Sequence, residues 1–257
     1  MNRVSVFRFA YRLAGMLLIF IGTTASYVFI ARNRGTLFAR AAWLQRWSRR
    51  TLHLIDMEVN VTGELPPPGL VASNHMSYLD VLVLSSVRPQ IFLAKDEVKG
   101  WPLFGSFARW AGSVFIDRRK RSEVSAKTAQ FREAVEAGLP VTVFLEGTTS
   151  DGSTVRPFRT ALLEPAIQSG WPVTPCALHY EATGAKASET ICYHGDMTLV
   201  PHLLTLLRRV SRSEAFVVFG DPARDEPDRK RLAADLHRQV LASKHGLAEA
   251  GGAGPVS

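Results

Sequence analysis

Residues 70–84 read Leu70-Val71-Ala72-Ser73-Asn74-His75-Met76-Ser77-Tyr78-Leu79-Asp80-Val81-Leu82-Val83-Leu84. The short apolar run at 70–72 has the character of a buried strand. Ser77-x-x-Asp80, just ahead of the apolar run at 81–84, resembles a capping box and predicts a helix start. Five residues round a helix is about 500°, so two helical residues at the spacing of His75 and Asp80 point apart. They meet if His75 lies in the strand-to-helix loop and Asp80 in the first helical turn. An aspartate accepting from one imidazole nitrogen leaves the other free as a general base. Taken alone, the spacing favours an ordinary loop histidine beside a helix-start carboxylate.

Working outward, Met57–Thr62 alternates like a strand, and Pro66-Pro67-Pro68-Gly69 punctuates the approach to the strand Leu70–Ser73. Helices are expected at 78–86, 123–137, 158–168 and 228–241. Further strands are expected at 90–94, 113–117, 140–145, 172–178, 189–193 and 214–219. Alternating strands and helices with near-continuous apolar strands predict an α/β fold, a largely parallel central sheet flanked by helices. This domain spans 57–245. Residues 1–56 form a membrane-anchoring helical element ahead of it, and the small-residue segment 246–257 is expected to be a disordered tail.

The 257 residues suffice for one substantial core and a small accessory element, and 46% hydrophobic with 21% charged residues excludes wholesale disorder. A net charge of +8 points to an anionic partner or surface. With no zinc-ligand spacing and no aromatic-rich RNA-binding signature, no nucleic-acid partner is expected. Cys176 and Cys192 lie in strand-like runs without a CxxC, which favours two buried thiols in a reducing compartment.

The amino end accounts for the membrane expectation. From Ala14 to Ala31 no residue is charged, and Arg12 and Arg32 flank the stretch. That approaches the roughly 20 residues needed to cross a hydrocarbon core. Small residues at Thr23-Thr24-Ala25-Ser26 would suit a cleaved signal peptide, but the apolar run continues through Tyr27-Val28-Phe29-Ile30. Arginines on both sides leave a span and a re-entrant anchor equally open. Residues 36–55 read as an amphipathic helix, with Leu37, Ala41, Leu44 and Trp47 interleaved by Arg40, Arg46, Arg49 and Arg50. Trp43 and Trp47 beside arginines suit a headgroup interface, and the same pattern fits a core-facing helix with a solvated basic side.

Three polar constellations each follow a predicted strand: His75, Arg118 and Glu146-Gly147-Thr148. If those strands run parallel, all three emerge at the carboxyl edge of one sheet, where open α/β folds bind ligands. Arg118 offers a planar fork suited to phosphate. The Gly-containing, hydroxyl-rich loop from Glu146 to Gly152 can present N–H groups and hydroxyls to an anion or polyol, or serve as a surface turn.

These segments together resemble the glycerolipid acyltransferase family. Asn74-His75-Met76-Ser77-Tyr78-Leu79-Asp80 matches its first motif, histidine, four residues, aspartate. Gly112-Ser113-Val114-Phe115-Ile116-Asp117-Arg118 matches the second, and Phe144-Leu145-Glu146-Gly147-Thr148-Thr149-Ser150 the third. Pro172-Val173-Thr174-Pro175-Cys176-Ala177 looks like the fourth. The resemblance implies His75 as general base with Asp80 orienting it, and Arg118, Glu146, Gly147, Thr148 and Thr149 binding the acceptor. Lys95 or backbone N–H groups would face the oxyanion. It implies no metal or cofactor, an acyl-CoA or acyl-carrier-protein donor, and a lysolipid acceptor in the membrane. The catalytic domain would face the cytoplasm at the inner membrane. Position 145 is Leu where the family usually has Pro. Position 149 is Thr where it usually has the Arg associated with the acceptor phosphate. Phe158-Arg159-Thr160-Ala161 keeps the basic residue of a family Phe-Lys-x-Gly-Ala but loses its glycine. The family's common acceptor, 1-acylglycerol-3-phosphate, is the first expectation, and Thr149 motivates a second, a lyso-aminolipid such as lyso-ornithine lipid. A lipase or thioesterase using the same His–Asp pair would need a nucleophile, and no Gly-x-Ser-x-Gly occurs. A non-catalytic basic membrane or nucleic-acid binder is the remaining alternative.

Overall fold

The computed structural model describes residues 3–32, 35–101, 103–116 and 127–252. Among them the strands form one seven-stranded sheet in the order β1-β7-β6-β2-β5-β3-β4. These are β1 (Met57–Thr62), β2 (Leu70–Ser73), β3 (Ile91–Lys95), β4 (Val114–Ile116), β5 (Val141–Phe144), β6 (Val173–Ala182) and β7 (Ser213–Phe219). Strand β2 lies in the middle, parallel to β5 with Ser73 opposite Phe144 and parallel to β6 with Ser73 opposite Cys176. β3 and β4 run the same way, while β7 is antiparallel to β6 and parallel to β1. The sheet is thus mixed but mostly parallel, as its apolar strands suggest.

Every residue of β2 is buried. Val71 joins the core beneath the amino-terminal helices, while Leu70 and Ala72 join the core on the opposite face. A strand covered by helices on both sides must read as a continuous apolar run, and this one does. Helices α1 (Arg3–Arg32), α2 (Leu37–Leu54), α3 (Leu79–Val87) and α4 (Phe104–Trp110) are followed by α5 (Thr128–Glu136), α6 (Glu164–Ser169) and α7 (Ala187–Thr190). Helices α8 (Leu199–Arg209) and α9 (Arg229–Gly252) complete the order.

Several expectations change. The strand expected at 189–193 is the helical turn α7 followed by coil, whose Tyr193 N–H donates to Met76 O at 2.7 Å. Five residues of mixed polarity do not distinguish a strand from a buried turn. The helix expected at 158–168 is a 3-10 turn, Thr160–Leu163, running into α6. Helix α9 runs to Gly252, through part of the segment read as a disordered tail. Helices α4 and α8 were not anticipated, the first because seven residues carry too little periodicity.

Helices α1 and α2 pack closely because α1 presents small residues to its neighbour. A methyl added at Gly15 would collide with Leu54, and one at Gly22 with Trp47. Ser26 Oγ accepts from both Trp43 Nε1 at 3.0 Å and Trp47 Nε1 at 2.9 Å. The tryptophans therefore face α1 rather than a headgroup layer. Tyr27 stacks on Trp110 at 4.4 Å, which ties α1 to α4. The other side of α1 leaves Phe7, Leu17, Leu18, Ile21 and Phe29 exposed, and the span Val6–Ile30 is long and apolar enough to cross a membrane. Cys176 and Cys192 are free and buried, and burial pushes both thiols up to about 12.

Candidate active site

His75 lies in the five-residue loop 74–78 between β2 and α3, and Asp80 is the second residue of α3. His75 Nδ1 lies 2.7 Å from Asp80 Oδ2. That oxygen also accepts from Met76 N–H at 2.7 Å and Ser77 N–H at 3.1 Å, while Tyr180 O–H donates to Oδ1 at 2.7 Å. The carboxylate is fully buried. Bonds to a charged acceptor are worth about 1.5–3 kcal/mol each, so this set offsets the cost of burying Asp80 and aims it. The expected capping box is only half formed. Asp80 reaches back to the loop N–H groups, but Ser77 Oγ has no partner among the described residues and α3 begins without a side-chain cap from Tyr78.

The imidazole is held in plane as well as direction, since its ring stacks on Phe144 at 3.9 Å and 10°. Its loop is braced on both sides. Asn74, fully buried, pairs with the Leu178 backbone in both directions, at 3.1 Å and 2.7 Å, and so extends the β2–β6 ladder with a side chain. His75 N–H donates to Glu146 Oε1 at 2.8 Å, and Arg156 N–H to Glu146 Oε2 at 3.0 Å. Ser150 N–H donates to His75 O at 2.9 Å. Burial pushes the Glu146 carboxyl up, and those two backbone bonds oppose the shift. Glu146, expected to bind the acceptor, thus has both oxygens committed to the backbone on either side of the site.

With Nδ1 committed to Asp80, Nε2 is the nitrogen left for chemistry. It makes no hydrogen bond to the described residues. The ring, one fifth exposed, lines a cavity of about 380 Å³ together with Lys95, Gly147, Thr148 and Thr149. The same cavity is walled by Met16, Ile19, Phe20 and Thr23 of α1 and by Trp43 and Leu44 of α2. An apolar chain fits such walls, and the polar turn beside His75 suits a headgroup.

The structure therefore brings His75, Asp80, Lys95 and the Glu146–Thr149 turn to one edge of the sheet. Arg118 lies outside the described residues, although β4 delivers the chain to that same edge. Sequence reasoning missed Phe144 as the stacking partner, Tyr180 as the second donor to Asp80, and Asn74 as the loop brace. Asn74 and Phe144 lay within recognised motifs, and Tyr180 lay in none.

Comparisons with known proteins agree with this geometry. A family model described as acyltransferase matches residues 58–179. The chain is 34% identical to lyso-ornithine lipid O-acyltransferase of Brucella abortus over 84% of its length and 85% of that protein's. It is 37% identical to the protein of the same name from Rhizobium meliloti, covering 81% of this chain and 76% of the relative. It is 33% identical to 1-acyl-sn-glycerol-3-phosphate acyltransferase of Neisseria gonorrhoeae, covering 73% and 74%. The fold matches the crystal structure of the LPA acyltransferase PlsC from Thermotoga maritima with a TM-score of 0.69 at 18% identity, over 95% of this chain and 96% of that one. By identity across most of its length, this chain belongs to the glycerolipid acyltransferase family, and it is an acyltransferase.

Proposed function

We propose that the protein O-acylates a lysolipid from a thioester donor, with His75 as general base and lyso-ornithine lipid as acceptor. The observation that carries the chemistry is the His75 imidazole, fixed at Nδ1 by Asp80 on a ring that lines an apolar cavity. Nε2 takes the proton of the acceptor hydroxyl as its oxygen attacks the thioester carbonyl. Asp80 stabilises the imidazolium that forms. The tetrahedral intermediate then collapses, the C–S bond breaks, and the departing thiolate takes the proton from Nε2. The acceptor is itself the nucleophile, so the protein carries no acyl group. Donors for the oxyanion are backbone N–H groups or Lys95, a reading supported by Lys95 lining the same cavity. The donor is acyl-CoA or acyl-carrier protein, and neither requires a metal or cofactor.

The acceptor reading rests on Thr149, which lines the cavity where the family usually carries a phosphate-associated arginine. Relatives named for lyso-ornithine lipid at 34% and 37% identity support it. A second reading, 1-acylglycerol-3-phosphate giving phosphatidate, is supported by the Neisseria relative. The apolar face of α1 supports attachment to the inner membrane with the site on the cytoplasmic side, where thioester donors are made.

The test crosses two acceptors with two donors on purified full-length protein. Acylation of lyso-ornithine lipid is expected, and turnover of lysophosphatidate alone would transfer the assignment to the second reading. His75→Ala is expected to lower kcat by about 10²–10⁴-fold, the usual worth of a general base. Unchanged transferase activity would sink the mechanism.

A further inference from the structure

Gly147 turns the chain in a left-handed conformation, φ 75°, inside the Glu146–Ser150 loop. A methyl group added there would overlap Arg159, whose Cζ would lie at 2.7 Å. The Arg159 side chain is therefore laid directly over the glycine of the polar turn that lines the cavity. Its base is fixed. Arg159 N–H donates to Leu145 O at 2.9 Å, and the neighbouring Phe158 is buried, its ring against His237 at 5.3 Å. Its head is not fixed. Arg12, Arg40, Arg49 and Arg88 each donate to backbone carbonyls, but the exposed Arg159 guanidinium makes no hydrogen bond or ion pair with the described residues. Thr148 and Thr149, half-buried, likewise keep their hydroxyls free of the described residues. The carboxylates nearest in the chain are occupied, Glu164 by Arg229 and Gln168, Asp151 by Ser153, and Glu146 by two backbone N–H groups.

We propose that Arg159 is the contact for the acceptor's headgroup anion, taking an oxyanion over Gly147 with the hydroxyls of Thr148 and Thr149 as additional donors. The assignment rests on the lysolipid acyltransferase reading above. It supplies the cation that position 149 lacks, from a residue ten positions downstream. The Glu146–Ser150 turn is bonded to His75 at both ends, so an anion held over Gly147 is placed in a fixed relation to the general base. A planar fork of donors suits a carboxylate or a phosphate equally. The shared chemistry is thus an oxyanion, carried either by the free carboxylate of an amino-acid headgroup or by a glycerol phosphate.

The experiment measures kcat and KM for wild type, Arg159→Ala and Arg159→Lys with three acceptors: lyso-ornithine lipid, its carboxyl methyl ester, and 1-acylglycerol-3-phosphate. Arg159→Ala is expected to raise KM for whichever anionic acceptor the wild type uses by roughly tenfold or more, with kcat within about twofold. Lysine should recover part of the loss, because it restores charge without the fork. The methyl ester should be an equally poor acceptor for wild type and Arg159→Ala. Melting curves matched to wild type would exclude misfolding as the cause. Unchanged KM for the anionic acceptor overturns the assignment, as does an equal loss with the ester or a fall in kcat alone, while leaving the acyltransferase reading intact. Failure of the wild type on both anionic acceptors overturns the functional reading and this assignment with it. Which anionic acceptor shows the Arg159 dependence identifies the headgroup.

Discussion

Asp80 works through the number and direction of its bonds. Its two oxygens accept from an imidazole, two loop N–H groups and a tyrosine hydroxyl. Asp80→Asn would put an amide N–H among donors that need an acceptor and leave His75 without a tautomer-fixing partner. We expect kcat to fall by about 10³-fold or more, by analogy of role with a triad aspartate. Tyr180→Phe removes one donor and leaves the imidazole bond in place. Its cost should be about 1 kcal/mol, under tenfold in kcat, and steady-state kinetics on the two variants side by side checks the contrast. A tyrosine variant as damaged as the asparagine one would show that Tyr180 touches the reaction. At this scale the sequence was informative where a motif compresses the partners into six residues. It was silent on Tyr180, a hundred positions from Asp80, because only the β2–β6 pairing brings them together.

At the scale of the elements, three arginines join helix ends to their neighbours. Arg12 is buried and donates to the carbonyls of Ile55, Leu207, Val210 and Ser211, where α2 and α8 end. Arg40 meets the carbonyls of Arg109 and Trp110 at the end of α4, and Arg49 that of Ser86 near the end of α3. Helix carboxyl ends carry unpaired carbonyls and partial negative charge, and guanidinium groups satisfy both. Arg12, Arg40 and Arg49 are thus committed to backbone carbonyls of the protein. Arg12→Met should strand several buried carbonyls and cost about 3 kcal/mol or more, read as a lowered Tm in detergent. A melting point within error of wild type would mean the four bonds contribute nothing net. Helix α8 adds an acid-sensitive contact. His202 Nε2 lies 3.0 Å from Cys192 O, so it carries the proton, and Nδ1 accepts from Tyr78 O–H at 3.1 Å. Burial, aided by His194, holds the His202 pKa below its usual 6.5. The unfolded chain therefore binds a proton at a pH where the folded one does not, and stability is lost as pH falls from 6.5 toward the folded value. In His202→Asn the drop in Tm between pH 8 and pH 5.5 should be smaller than in wild type, and an unchanged slope would remove His202 as its source.

Over the whole molecule, α1 is both an apolar surface and a wall of the cavity that His75 lines. Phe7, Leu17 and Phe29 face outward, while Met16, Phe20 and Thr23 line the same space as His75. Removing residues 1–34 should therefore abolish activity even on detergent-solubilised acceptor, besides releasing the protein from vesicles. Full turnover of a solubilised acceptor by the truncated protein, assayed beside a flotation measurement, would reduce α1 to an anchor. The sequence by itself determined the layered α/β architecture, the apolar helix and the histidine–aspartate pair, because periodicity, capping and short-range motifs are local properties of a chain. Only the tertiary structure decided that Trp43 and Trp47 face Ser26, that 189–193 turns and coils against the His75 loop, and that Glu146 accepts from the backbone N–H groups of His75 and Arg156. It alone laid Arg159 over Gly147. Each of these depends on which strands neighbour one another and on which carbonyls are left unpaired at helix ends. Such long-range pairings are settled by packing two apolar faces around one sheet, and no window of sequence contains them.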